Sequence, residues 1–329
     1  MARTPLTRDD LAPLARAALG RAHPLTSVTR LRGGSRKGVY RLTRDDGSTA
    51  VAYVWSPDED QWDAGPSDPR DPFSPGTGLG LFTAAHARLT AVGVRTPRLL
   101  YADGTHTRLA ADAAVVEDLP GGSLARALER DPRAGRAALE RPAGALARLR
   151  AHHGPGFGKV AHIDGGGEPS ALPCERLVAD GALRSLAEAA ARDERIAAAR
   201  GELDALVREL AAAVRPRARH SPVHGELGPD HVLLDADGHP VLIDVEGLLY
   251  ADAEWEHAFL RIRFGSHYGV LRAPGLDEHR LRLYRLATHL SLVSGPLRLA
   301  EGGFPHPEGM RAIAEHHIGQ TLSLLRTVS

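Results

Sequence analysis

The sequence predicts an α+β fold, with an antiparallel sheet in its N-terminal part and a larger helical C-terminal part. Three observations carry this. Residues 26–55 read as three consecutive strands separated by turn chemistry. Past residue 118 the chain turns alanine-rich, with apolar residues at helical spacing. A short hairpin pattern over residues 231–244 then interrupts the helices.

Composition supports a packed globule: 43% of the 329 residues are hydrophobic and 25% are charged. That length allows one large domain or two lobes, each with its own core. Lys plus Arg and Asp plus Glu balance at 41 each, which argues against nucleic acid or an acidic membrane as the main partner. The single cysteine, Cys174, excludes an internal disulfide framework and suits a reducing compartment. No apolar run approaches the ~18 residues of a membrane span. Residues 1–19 lack the apolar centre of a signal peptide, so the expected location is cytoplasmic. The basic residues are nearly all arginine; only Lys37 and Lys159 are lysines.

Taken in order, residues 8–20 have the pattern of a short helix. Thr26 to Arg32 alternates as a strand, and Gly33-Gly34-Ser35-Arg36-Lys37-Gly38 is a glycine-rich turn. Val39 to Thr43 and Thr49 to Trp55 are the next strands, joined at Asp45-Asp46-Gly47-Ser48. A glycine-rich turn is what an ordinary hairpin requires. It also lets backbone N–H groups approach phosphates, so Gly34, Ser35, Arg36 and Lys37 are candidate phosphate-binding residues. Residues 56–78 read as a long loop. Leu79 to Val92 is a helix with Leu81, Phe82, Ala85 and Leu89 on one face, and Gly93 to Leu100 turns it into another strand. Val115-Val116 ends an apolar strand, followed by Glu117-Asp118-Leu119-Pro120-Gly121-Gly122.

Beyond lie helices over Ser123–Glu129, Arg133–His152, Cys174–Ala191 and Ile196–Val214, with closing helices over 276–300 and 307–326. His152-His153 reads as a cap or surface pair, and His316-His317 as surface. The glycine-rich stretches 154–160 and 165–167 are candidates for the border of an acceptor pocket. There is no internal repeat.

The chemistry concentrates in His224-Gly-Glu226-Leu-Gly-Pro-Asp-His231 and Val241-Leu-Ile-Asp244-Val-Glu246-Gly247. Asp235 to Pro240 between the two apolar runs is turn chemistry, so the unit folds as a hairpin in which residues summing to about 475 face each other. His231 then lies roughly opposite Asp244. One end of the hairpin gathers Glu226, His231, Asp244 and Glu246. This is the kit of metal-assisted phosphoryl transfer: a carboxylate to take a hydroxyl proton, and further ligands to hold Mg2+ against nucleotide phosphates. The plainer reading is an acidic surface hairpin.

These residues resemble the signature of the aminoglycoside phosphotransferase family, the antibiotic and small-molecule kinases with a bilobal protein-kinase-like fold. That signature runs His-Gly-Asp-x-x-x-x-Asn, a hairpin, then Ile-Asp-x-Asp/Glu. The resemblance puts Glu226 at the catalytic aspartate, with His224 buttressing its loop. It puts His231 at the metal-binding asparagine and Asp244 at the Mg2+-chelating aspartate, with Glu246 just beyond. Residues 115–122 resemble the hinge that binds the purine, which makes Glu117 and Leu119 candidate nucleotide-binding residues. Ala251 to Ala258 resembles the family's acidic helix start, where Asp252, Glu254 and Glu256 are candidates for holding the loop or binding a cationic acceptor.

The implied organisation is a nucleotide-binding lobe over 1–117 and a catalytic and acceptor-binding lobe over 118–329. The implied partners are Mg2+, ATP or GTP as donor, and a small hydroxylated acceptor such as an antibiotic. The chain departs from the pattern at Glu226 and His231. Kinases also pair a lysine on the third strand with a glutamate on the next helix; residues 51–55 hold no lysine, and helix 79–92 holds no acid. A pseudokinase that binds nucleotide without turnover is therefore the first alternative. A metabolic kinase of a sugar or amino alcohol is the second.

Overall fold

The computed structural model describes residues 5–31, 36–60, 68–131, 136, 138–302, 304 and 306–326. Its chain forms two compact units. The first comprises Met1–His152, Lys159–Gly167 and Gly228–Leu248; the second comprises His153–Gly158, Glu168–Leu227 and Leu249–Ser329. Among the described residues no helix is long and apolar enough to cross a membrane.

The first unit is built on a five-stranded antiparallel sheet. Helix α1 (Arg8–Leu19) opens it, with a capping box between Thr7 and Asp10 satisfying its first amides. Strands β1 (Leu25–Arg30), β2 (Gly38–Arg44) and β3 (Thr49–Trp55) follow, close to the expected bounds. Helix α2 (Leu79–Ala91) leads to β4 (Leu99–Asp103) and β5 (Asp112–Glu117), in the order β1-β2-β3-β5-β4. Side chains alternate between the two faces of the sheet, and the central strands β3 and β5 are buried on both. Tyr40, Leu42, Ala52, Val54, Ala113 and Val115 face one core with Leu11 and Leu14 of α1. Tyr53 and Trp55, on the opposite face of β3, pack edge-on and tilted against Phe82 of α2.

The hairpin at 231–244 belongs to this unit. Val232–Leu234 pairs with Pro240–Leu242, with Leu233 opposite Val241. Paired residues sum to 474, so the register is one residue away from the expected one. The five residues 235–239 set it. The Asp235 carboxylate accepts from the amides of Asp237 at 3.0 Å and His239 at 2.7 Å, and Gly238 turns the chain at φ 71°. His231 consequently accepts from the amide of Ile243, at 3.0 Å. Asp244 then leaves the ladder in the left-handed region, φ 60°, which aspartate tolerates better than most residues.

The second unit is helical. Glu278–Glu301 is its centre and packs against Pro307–Arg326, Cys174–Ala190, Arg200–Ala213 and Ala253–Phe264. The helix expected over 196–214 is broken at Ala199 into Glu194–Ala198 and Arg200–Ala213. Buried Arg280 ties the unit together, donating to Glu175, Asp252, Tyr284 and the Arg215 carbonyl. His317 corrects a sequence expectation: it is buried, with Nδ1 2.8 Å from Nδ1 of His289. The central helix is largely buried and carries buried polar residues such as Arg280, Thr288 and His289, so His317, which meets His289, goes inside as well.

Candidate active site

In the first unit the candidate site is assembled around residues 244–247. Asp244 is half-exposed at its side chain, whereas the Glu246 side chain is only 3% exposed. Lys37, at the end of the glycine-rich turn, reaches both. Its Nζ lies 2.7 Å from Asp244 Oδ1 and 2.5 Å from Glu246 Oε1, and 5.2 Å from the ring centroid of Tyr53 on β3. Burial alone would lower the Lys37 pKa, but Glu246 and Asp244 outweigh it and hold the ammonium above the ordinary lysine range. The other oxygen of Asp244, Oδ2, is 3.8 Å from His231 Nε2, and His231 is also 3.8 Å from Asp230.

The loop before α2 lies directly on this segment. A Cβ at Gly76 would sit 2.7 Å from the Gly247 Cα, so only glycine fits there. Lys159 pins that loop from within, donating to the carbonyls of Ser74 at 2.8 Å and Pro75 at 3.2 Å. Burial lowers its pKa to about 8. Stretch 154–160, expected at an acceptor pocket, thus supplies through Lys159 a strut for this loop.

Gly34 and Ser35 lie outside the described residues. Arg36 is described; its carbonyl accepts from Thr77 Oγ1 at 3.3 Å, and its guanidinium lies 3.8 Å from Asp60. At the expected hinge, Arg41 of β2 grips Asp118 with two hydrogen bonds of 2.6 and 3.0 Å. The Glu117 side chain is engaged by Arg95 at 2.9 Å, and its amide donates to the Arg98 carbonyl at 3.0 Å. Glu117 lines a cavity of about 520 Å³ with His86, Thr90, Arg95 and Arg98. No backbone hydrogen bond among the described residues involves Leu119.

In the second unit, Ser221–Val223 pairs with Leu249–Ala251 and delivers the loop His224-Gly225-Glu226. Gly225 adopts φ 84°, and a Cβ on it would meet Leu249 and Trp255 at 3.4 Å. His224, Gly225 and Leu227 are buried while Glu226 between them is exposed, so the loop presents its carboxylate outward. Glu256 holds this loop. Its Oε2 accepts from the amides of His224 at 2.5 Å and Gly225 at 3.2 Å. Burial raises the Glu256 pKa, with His224 and the loop amides opposing. Asp252 and Glu254 are equally buried and are engaged by Arg280 and Arg217. All three acids are candidates from the sequence; Glu256 is the one aimed at the loop amides.

A hard, half-exposed carboxylate such as Asp244 fits Mg2+, which keeps several waters and takes its remaining ligands from phosphates. His231, Asp244 and Glu246 do not converge as a preformed triad. Among the described residues, groups of three ligand atoms mutually within 4.8 Å occur at His23, Asp45 and Asp46 and at Asp235, Asp237 and His239, both in turns.

The chain belongs to the phosphotransferase enzyme family, whose model matches residues 27–290. No curated protein matches it. Among solved structures it is similar to aminoglycoside phosphotransferase APH(4)-Ia, at 15% identity and TM-score 0.64, covering 98% of this chain and 100% of that one. It is also similar to the spectinomycin phosphotransferase APH(9)-Ia in complex with ADP and spectinomycin, at 10% identity and TM-score 0.63, covering 98% and 99%. A putative fructosamine-3-kinase from Thermobifida fusca YX-ER1 is similar at 18% identity and TM-score 0.53, covering 96% and 99%. These likenesses establish the protein-kinase-like α+β fold.

Proposed function

We propose that this protein transfers the γ-phosphate of ATP or GTP to a hydroxyl of a small polar molecule. The observation that carries the reading is Asp244: a half-exposed carboxylate at a hairpin end, with one oxygen toward Lys37 and the other toward His231. Asp244 would hold Mg2+, with His231 beside it and Glu246 behind it. The ion supplies charge neutralisation of the nucleotide phosphates. Lys37, Arg36 and the glycine-rich turn at Gly34 and Ser35 steady those phosphates, and the backbone around Glu117 and Leu119 takes the base. Glu226, at the motif position of the catalytic carboxylate, orients the acceptor hydroxyl and accepts its proton. His224 and Glu256 keep the Glu226 loop in place. The reaction is cytoplasmic in this reading, consistent with a single buried, unpaired Cys174.

Antibiotic inactivation or self-resistance is the proposed role, in line with the similar spectinomycin phosphotransferase in complex with ADP and spectinomycin. The fructosamine-3-kinase likeness supports a metabolic acceptor as the second reading. The test is phosphorus NMR of the purified chain with Mg2+, ATP or GTP, and a panel of hydroxylated antibiotics, sugars and amino alcohols. A new phosphomonoester signal with one acceptor is the expected result. Nucleotide binding without transfer to any acceptor would replace the reading with a pseudokinase.

A further inference from the structure

Kinases hold the α- and β-phosphates with a lysine that a glutamate keeps in place. Here β3 has no lysine and α2 no acid, yet the same two charges occur together elsewhere in the first unit. We propose that Lys37 and Glu246 are this ion pair in a relocated form: Lys37 is the phosphate anchor, and Glu246 is its positioning residue rather than a metal ligand. This deepens the phosphotransfer reading and rests on it.

Four observations converge. The Lys37 ammonium does not stand apart from β3; it lies over the ring of Tyr53, a β3 side chain, at 5.2 Å. A lysine from the turn thus puts its charge against the strand from which kinases supply theirs. Second, the two carboxylates that Lys37 joins differ in exposure, 47% for the Asp244 side chain and 3% for Glu246. Mg2+ gives up its waters reluctantly and binds where several can remain. Asp244 meets that condition and Glu246 does not. Third, a carboxylate as buried as Glu246 needs a partner cation, and Lys37 at 2.5 Å supplies it. Asp244 divides its oxygens, Oδ1 to Lys37 and Oδ2 toward His231. Fourth, only two of the 41 basic residues are lysines. A compact point charge at this position, in a chain that otherwise uses arginine's planar fork, suits a group that must turn from carboxylates to phosphate oxygens.

The test separates metal from nucleotide. Mn2+ serves as the metal probe, read by electron paramagnetic resonance, and AMP-PNP as the nucleotide, read by calorimetry on the full chain. Glu246→Gln is expected to keep Mn2+ affinity within about twofold in the presence of AMP-PNP, whereas Asp244→Ala loses it. Lys37→Met and Glu246→Gln should each weaken AMP-PNP binding about tenfold or more, as expected for a lost charged hydrogen bond. The double variant should be no weaker than the worse single one, because the two residues act as a unit. It also leaves no orphan buried charge, so it keeps the fold if a single variant loses it. Loss of Mn2+ by Glu246→Gln to the extent seen with Asp244→Ala would overturn the assignment of Glu246 alone. Wild-type AMP-PNP affinity in the double variant would overturn Lys37 as the anchor. A wild-type chain that binds Mn2+ but no nucleotide would overturn the phosphotransfer reading itself, and this pair with it.

Discussion

Replacing Glu256 by alanine should detach the His224-Gly225-Glu226 loop and leave nucleotide binding unchanged. The Glu256 carboxylate is buried and accepts from two backbone amides, His224 at 2.5 Å and Gly225 at 3.2 Å. Truncation strands both donors away from water. A buried unsatisfied donor costs roughly 1–3 kcal/mol, so two cost about 2–6 kcal/mol. Part of this is returned, because a carboxylate pushed up by burial no longer has to be desolvated. The net expectation is about 2–4 kcal/mol of lost stability. Glu256→Gln keeps an acceptor oxygen and forfeits only the charge assistance, so it should cost about 1 kcal/mol. Urea unfolding measures both. In kinetics, Gln should lower kcat modestly and leave nucleotide affinity unchanged, since the weaker bonds to the His224 and Gly225 amides loosen the loop that carries Glu226. An alanine variant with the wild-type unfolding midpoint would refute the reasoning, and so would a Gln variant that loses nucleotide affinity rather than turnover.

Asp244→Ala should abolish Mg2+-dependent turnover while leaving the unfolding free energy from urea titration within about 1 kcal/mol, because the residue is a half-exposed hairpin end with φ 60° rather than core; unchanged turnover would remove Asp244 from the metal site. The buried pair His289 and His317 should make the fold acid-sensitive. Burial first, then neighbouring histidines and, for His289, Arg285, lower their pKa values from 6.5 to about 3 and about 4. A lowered pKa on a base means the neutral form is the folded form. Stability from these groups is complete above pH 6.5 and is lost as pH falls toward 4 and then 3, at up to ~1.4 kcal/mol per pH unit for each. His317→Asn should flatten that slope in urea midpoints measured from pH 7 to 4; an unaltered slope would show that other groups set the acid limit.

Much of the first unit was legible because its signals are local. The alternation of β2, the apolar run of β3 and the Asp45-Asp46-Gly47-Ser48 turn fix a hairpin within about twenty residues. The 231–244 hairpin was equally plain, yet its register was read one residue out. An Asx turn at Asp235 sets it, and the turn composition alone does not distinguish the two registers. What stayed hidden lies far apart in sequence. Lys37 meets Glu246 across 209 positions, and Glu256 meets His224 across 32. Glu117 kept its place at the end of β5, but its side chain serves Arg95, a partner that strand periodicity does not reveal. His317 was misjudged because helix 307–326 has a mixed face; its neighbour, not its own pattern, decides what is buried.

The catalytic claim is tested most directly by kcat for phosphoryl transfer in Glu226→Gln, measured with the acceptor that the phosphorus NMR panel identifies. The amide has nearly the shape of the carboxylate but cannot take the hydroxyl proton. The account expects kcat to fall ~10²–10⁴-fold with AMP-PNP affinity unchanged. A Gln variant that transfers phosphate at the wild-type rate would contradict it, leaving Glu226 an exposed loop residue and the base unassigned.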